Sequence, residues 1–144
     1  AIGCDPNAAA LKEVIITQLK GFGHEVKDFG SEDPIYAKVA FAVGEAVAAG
    51  KYDRGILLCG TGIGMSIAAN KVPGVYAALC SDTYSAERAI KSNNANVLTL
   101  GAFTTGVEVA KQIVGVWMES EWKTGTPSEA KVSSYVEYGK KHQK

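Results

Sequence analysis

The residues best placed to do chemistry run from position 59 to 66: Cys59-Gly60-Thr61-Gly62-Ile63-Gly64-Met65-Ser66. Three glycines in five positions let the backbone turn tightly, so that successive N–H groups point into one concavity and hold an anion. A thiol just before such a turn meets their partial positive charge, which favours the thiolate that serves as nucleophile or general base. Covalent catalysis by cysteine normally enlists a neighbouring histidine. The two histidines are His24, ahead of a predicted strand and so at the opposite sheet end, and His142, in the tail. The pattern therefore argues against a Cys–His hydrolase. A base beside an oxyanion-holding turn suits proton abstraction next to a carbonyl, with the turn stabilising the enediolate that forms. The spacing departs from the G-x-G-x-x-G dinucleotide pattern, and no Gly-Lys-Ser/Thr completes a P-loop. The plainer alternative is a tight strand-to-helix turn with no ligand.

Two further segments carry polar groups at expected strand ends. Gly3-Cys4-Asp5-Pro6-Asn7 puts Asp5 where a carboxylate can accept hydrogen bonds from sugar hydroxyls, although Asp is also a preferred helix N-cap. Ser92-Asn93-Asn94 offers amide donors before a strand, although Asn-Asn is ordinary turn chemistry. Cys4, Cys59 and Cys80 are an odd number with no metal-finger spacing. They read as free thiols in a reducing, cytoplasmic compartment, with Cys4 and Cys80 as small buried hydrophobes.

These groups are positioned by alternating strand and helix patterns. Strands are predicted at 1–4, 24–29, 54–59, 75–80 and 96–100. Helices are predicted at 8–19, 36–49, 62–70, 84–91, 105–119 and 128–141. Alternation at this spacing means βαβ units and a parallel sheet, hence an α/β fold: a three-layer sandwich of about five strands. Ligands of such sheets bind beyond the carboxyl ends of the strands. The 144 residues fit a single domain, and 47% hydrophobic content supplies a core. Fifteen Lys+Arg against fifteen Asp+Glu leave a net charge of zero, which removes the electrostatic case for nucleic-acid or membrane-surface binding. No apolar run reaches membrane-spanning length and no secretory leader pattern is present. The chain opens without Met inside a predicted strand, so residues are expected before Ala1.

The stretch from Asp53 to Lys71, with Cys59-Gly60-Thr61-Gly62-Ile63-Gly64-Met65-Ser66-Ile67-Ala68-Ala69-Asn70-Lys71 at its heart, resembles the signature of the ribose-5-phosphate isomerase B family. That family also includes the galactose-6-phosphate isomerase subunits. Gly3-Cys4-Asp5, Asp82-Thr83-Tyr84-Ser85-Ala86, Asn93 to Leu98 and Gly101-Ala102 match further family blocks, so the resemblance spans nearly the whole chain. It implies a Rossmann-like α/β/α protomer, forming a homodimer or homotetramer with active sites at the subunit interface. It implies no metal or other cofactor. The partner is a small-molecule sugar phosphate, interconverted between aldose and ketose through a cis-enediolate. Cys59 matches the general base between C1 and C2, and Thr61 a hydroxyl assisting proton transfer at the substrate oxygens. Gly60, Gly62 and Gly64 match the enediolate nest, with Ser66 following. Asp5 and Asn93 match substrate hydroxyl contacts. The helix at 128–141 is expected near the dimer interface, and the whole chain, 1–144, reads as one isomerase domain.

The departures from the family pattern bear on the substrate. Pro6 stands where the ribose-specific members carry His after the first-loop Asp, and Ser92 replaces the His that opens the furanose ring. The phosphate-gripping arginines of the family's tail are absent from Thr124 to Val132, where Lys131 aligns with the last of them as a point charge. Phe103 replaces an arginine after Gly101-Ala102. A pentose 5-phosphate rests as a furanose and needs acid–base help to open, whereas a tetrose 4-phosphate has its O4 esterified and cannot close that ring. Loss of the His therefore fits an open-chain substrate such as erythrulose 4-phosphate, and the stretch from Ser85 to Asn93 resembles a tetrose-phosphate branch. The main expectation is a ribose 5-phosphate/ribulose 5-phosphate type isomerase, with the tetrose enzyme as alternative. A non-catalytic subunit of a hexose-6-phosphate isomerase would have lost the base and the nest, and this chain keeps both. A mononucleotide-binding module is the remaining alternative from another class.

Overall fold

The computed structural model describes residues 1–143. Four strands, β1 (Ile2–Cys4), β2 (Gly55–Cys59), β3 (Ala77–Leu79) and β4 (Val97–Gly101), form a parallel sheet in the order β1-β2-β4-β3. The helices are α1 (Ala9–Gly21), α2 (Ala37–Ala48), α3 (Ile63–Ala69), α4 (Thr83–Lys91), α5 (Val107–Glu119) and α6 (Ser128–His142), with a 3-10 turn at Pro6–Ala8 leading into α1. Each begins and ends within two residues of its predicted limits.

The continuous apolar run of β2 is buried at all five positions, as a strand covered on both faces must be. Its side chains alternate between two cores. Ile56 and Leu58 pack with Ile15 of α1, Ile90 of α4 and Trp117 of α5. Leu57 and Cys59 pack with Val43 of α2 and Met65 of α3. Helices therefore cover both faces of the sheet. Among the described residues no helix is long and apolar enough to cross a membrane.

The sheet has four strands, not the five expected. The predicted strand at 24–29 makes only one bridge, Ile2 to Asp28, outside the named strands. Ile2 N–H donates to Lys27 O (2.9 Å) and Phe29 N–H to Ile2 O (2.8 Å), so the segment does run alongside β1. The ladder then slips, because Cys4 N–H donates to Gly30 O instead of continuing the register. Gly30, at φ +107°, turns the chain away, and the Asp28 carboxylate fixes that turn by accepting both Gly30 N–H and Lys12 Nζ at 2.8 Å. A polar side chain that bonds the backbone two residues on competes with the ladder.

Arg54 ties β2 to α5. Its guanidinium donates to Trp117 O (2.6 Å) and Ser120 O (2.8 Å) and stacks over the fully buried Trp117 ring at 5.1 Å. These are the otherwise orphaned last carbonyls of the helix. Arg54→Met is expected to lower stability by about 2–3 kcal/mol, read by thermal or denaturant unfolding. Arg54→Lys recovers only part of this, since a point charge cannot bridge two carbonyls as a fork does.

Candidate active site

From β1 the chain first moves outward to the segment beside it, then crosses to β2 on the other side. Chain direction across the sheet thus reverses between β1 and β2, and the crevice beyond their carboxyl ends is where open α/β sheets bind ligands. The register Cys4↔Leu58 brings Asp5 next to Cys59 on the neighbouring strand, roughly 5 Å away along the ladder. Asp5 N–H donates to Leu58 O at 3.1 Å, fixing this placement. Gly3 faces Val39 of α2, and strand alternation returns Asp5 to that same side, which is also the side of Cys59.

The Cys59 thiol is buried, and its Sγ accepts the Gly62 N–H at 3.1 Å. A backbone donor aimed at sulfur is the contact that a thiolate needs. Gly62 reaches this position in the left-handed region, at φ +80°, and a Cβ there would sit 2.9 Å from the Leu100 carbonyl carbon. The Cys59 and Gly60 carbonyls are turned towards the chain leaving β4, accepting Ala102 N–H (2.8 Å) and Phe103 N–H (2.9 Å). The first-turn N–H groups of α3, Gly64 among them, have no intrahelical acceptor. Thr61 is exposed at the rim, its Oγ1 accepting the Ile63 N–H at 3.3 Å, and Ser66 is half-buried one turn into α3.

Asp5 precedes the 3-10 turn but makes no side-chain cap. Its Oδ1 is buried without a partner, and Oδ2 meets only Asn7 Nδ2 at 3.5 Å. A buried carboxylate oxygen left without a donor is costly unless a ligand supplies one. The capping role allowed by the sequence is thus not taken up. Cys4 and Cys80 lack the backbone donor that Cys59 receives. Burial pushes both thiols up to about 11, and neither receives a backbone N–H.

Asp5, Cys59, Gly60, Thr61, Gly62, Gly64 and Ser66 come together at this crevice. Ser92, Asn93 and Lys131 do not join them within one chain. Ser92 and Asn93 precede β4, whose first residue, Val97, pairs with Gly55, whereas Cys59 pairs with Gly101 at the far end, roughly 13 Å along the strands. Asn94, at φ +51°, closes α4 in the left-handed conformation that Asn tolerates, so part of this stretch is turn chemistry. Lys131 is exposed on α6, of which only Val132 is buried. His24 lies near Ala1 and Arg54 at the amino ends of the strands, away from Cys59.

Two aromatic residues lie at the crevice, Phe103, which stands where the family pattern has an arginine, and Tyr36, which the sequence did not point to. The Tyr36 ring packs on Gly64, so that a Cβ there would lie 2.6 Å from its Cζ, and the largely exposed Phe103 covers Gly60. Tyr36 looked like the first residue of an amphipathic helix, and only its position just before α2 hinted at more. Met65, Ala68 and Ala69 are buried in the chain's own core, whereas Ile63 and Ile67 of the same helix stay 52% and 59% exposed.

Comparisons with known proteins place the chain in a family. The family described as Ribose/Galactose Isomerase matches residues 1–135. The D-erythrulose-4-phosphate isomerase of Pectobacterium atrosepticum is 50% identical over 99% of this chain and 97% of its own length. Ribose-5-P isomerase B of Listeria innocua is 46% identical over the same shares. The solved structure of Clostridium thermocellum ribose-5-phosphate isomerase B superposes with a TM-score of 0.92 at 42% identity, covering 98% of this chain and 97% of that one. With a sequence match over residues 1–135 and the same fold throughout, this chain belongs to the ribose/galactose isomerase family.

Proposed function

We propose that the protein is an aldose–ketose isomerase of a sugar phosphate, of the ribose 5-phosphate/ribulose 5-phosphate type, acting through a cis-enediolate as one domain over residues 1–144. The observation that carries this reading is a crevice in which a thiol sulfur holding a backbone N–H neighbours a buried carboxylate oxygen with no partner. Cys59, as thiolate, takes the proton from C2 of the aldose and returns it to C1 as ketose forms. Thr61 passes the accompanying proton from O2 to O1. The N–H groups of Gly60, Gly62 and Gly64 hold the negative charge of the enediolate, while Asp5 accepts a substrate hydroxyl and Ser66 lines the site.

The active unit is a homodimer or larger assembly, in which Ser92, Asn93 and Lys131 of one chain complete the crevice of the other. The separation of these residues from Cys59 within a chain supports this reading. So does the apolar surface of Ile63, Ile67 and the 72% exposed Phe103 around the crevice, of the kind that marks an association site. The thinly packed α6 belongs near this interface. Three free thiols support a reducing, cytoplasmic setting.

A tetrose 4-phosphate is the favoured alternative substrate. Both histidines lie away from Cys59, His24 at the amino ends of the strands and His142 on α6 bonded to Tyr138 O, so no imidazole of this chain stands at the crevice to open a furanose ring. The 50% identity to an erythrulose-4-phosphate isomerase points the same way. Coupled turnover of ribose 5-phosphate, erythrose 4-phosphate and 6-phosphohexoses, measured side by side, tests the reading. The class assignment predicts isomerisation of a pentose or tetrose phosphate, and turnover of none of the three overturns it. A large pentose preference would remove the tetrose alternative.

A further inference from the structure

The sequence contains only two arginines, Arg54 and Arg88, which sharpens the question of what holds a phosphate. Arg54 is committed to the carbonyls ending α5. Arg88 is not committed. It stands on α4, whose start is fixed by Asp82 accepting Ser85 N–H (2.7 Å) and Ser85 Oγ (2.8 Å). Ser92 lies one turn on, on the same face, with its N–H on Arg88 O at 2.8 Å, and Asn93 N–H reaches the same carbonyl at 3.2 Å. The Arg88 side chain lines a cavity of about 420 Å³ together with Asn93, Ser85 and Tyr135, whose hydroxyl donates to Asn93 O.

Arg88 Nε is buried and has no hydrogen-bond partner. Among the described residues the guanidinium's only ion pair is with the adjacent Glu87, at 3.4 Å and with both side chains more than a third exposed, a contact of little worth. A buried donor left free on a fork beside a cavity that Ser85, Asn93 and Tyr135 also line has the geometry of a bidentate phosphate site. Lys131, the other cation considered, does not line this cavity.

We propose that Arg88 holds the phosphate of the sugar-phosphate substrate, entering the crevice of the partner chain together with Ser92 and Asn93. This rests on the isomerase reading above and supplies its missing anion contact. Arg88→Ala should raise KM for the preferred sugar phosphate roughly 10- to 100-fold while changing kcat much less, and should weaken competitive inhibition by inorganic phosphate to the same extent. Arg88→Lys should recover part of both, and Arg88→Gln, which keeps the polar stem without the charge, should recover neither. Chains carrying Cys59→Ala and Arg88→Ala, co-expressed in equal amounts, should regain about a quarter of wild-type activity at low substrate, from the one intact site of each mixed dimer. Wild-type KM and phosphate inhibition in Arg88→Gln, or no recovery in the mixed dimer, would each overturn the assignment. If the wild type isomerised no sugar phosphate, the isomerase reading would fail. Calorimetric titration of inorganic phosphate into wild type and Arg88→Gln would still judge Arg88.

Discussion

Cys59→Ala leaves a folded protein whose isomerase turnover falls roughly 10³-fold, within the range of about 10²–10⁴ for loss of a positioned base. The fold survives because the substitution removes one sulfur from a site packed by Leu57, Val43 and Met65, at a cost of about 1 kcal/mol. The Gly62 N–H loses its acceptor, but the turn keeps the Ala102–Cys59 and Phe103–Gly60 backbone bonds that pin it to the end of β4. Cys59→Ser separates geometry from chemistry. A serine oxygen can accept the Gly62 N–H, yet a hydroxyl stays protonated at neutral pH, so stability returns and turnover does not. Cys4→Ala and Cys80→Ala serve as controls with little effect on turnover, since burial holds both thiols near 11. Circular dichroism, thermal unfolding and steady-state kinetics on the four variants check the pattern.

Gly62→Ala is expected to damage fold and activity together. A side chain at φ +80° costs about 1–2 kcal/mol in backbone strain. The added Cβ also meets Leu79 Cδ1 at 2.6 Å and the Leu100 carbonyl carbon at 2.9 Å. The leucine tip can swing aside, but the β4 backbone cannot move without disturbing the β2–β4 ladder. We expect a total loss of about 3 kcal/mol and a fall in kcat of roughly 10²-fold, as the N–H aimed at Cys59 Sγ is displaced. Gly106→Ala is the matched control. It lies in open space at φ −63° and should change neither quantity.

Much of this was legible from residue order because the governing interactions are local or periodic. The apolar run at 55–59 could only be a central strand, and three glycines after it could only be a tight turn under a helix, so Cys59 and its N–H donor were readable together. The edge segment at 24–29 was misread as a full strand. Its β-like composition is real, but the Asp28 carboxylate and the backward turn at Gly30 break the ladder after one bridge, a competition between side chain and backbone that periodicity does not encode. Tyr36 was missed at the site for a different reason, and Phe103 was legible only as a departure from the family pattern. Each reaches the crevice across more than twenty residues of chain or from another loop, and an exposed aromatic carries no spacing signature of its own destination. The same holds for Arg88, whose isolation became visible only once Arg54 was seen to be fully occupied. The neutral charge of the chain then reads consistently, with a single free guanidinium where a sugar-phosphate site needs a cation.

The central claim is that Cys59 moves a proton between adjacent carbons of a sugar phosphate. NMR of the product formed in D₂O under initial-rate conditions tests it most directly. Wild type should yield ketose phosphate, with solvent deuterium at C1 in the fraction of turnovers in which the thiol exchanges before returning its proton, and Cys59→Ala should yield almost none of either product or label. Product formed by Cys59→Ala at the wild-type rate would contradict it.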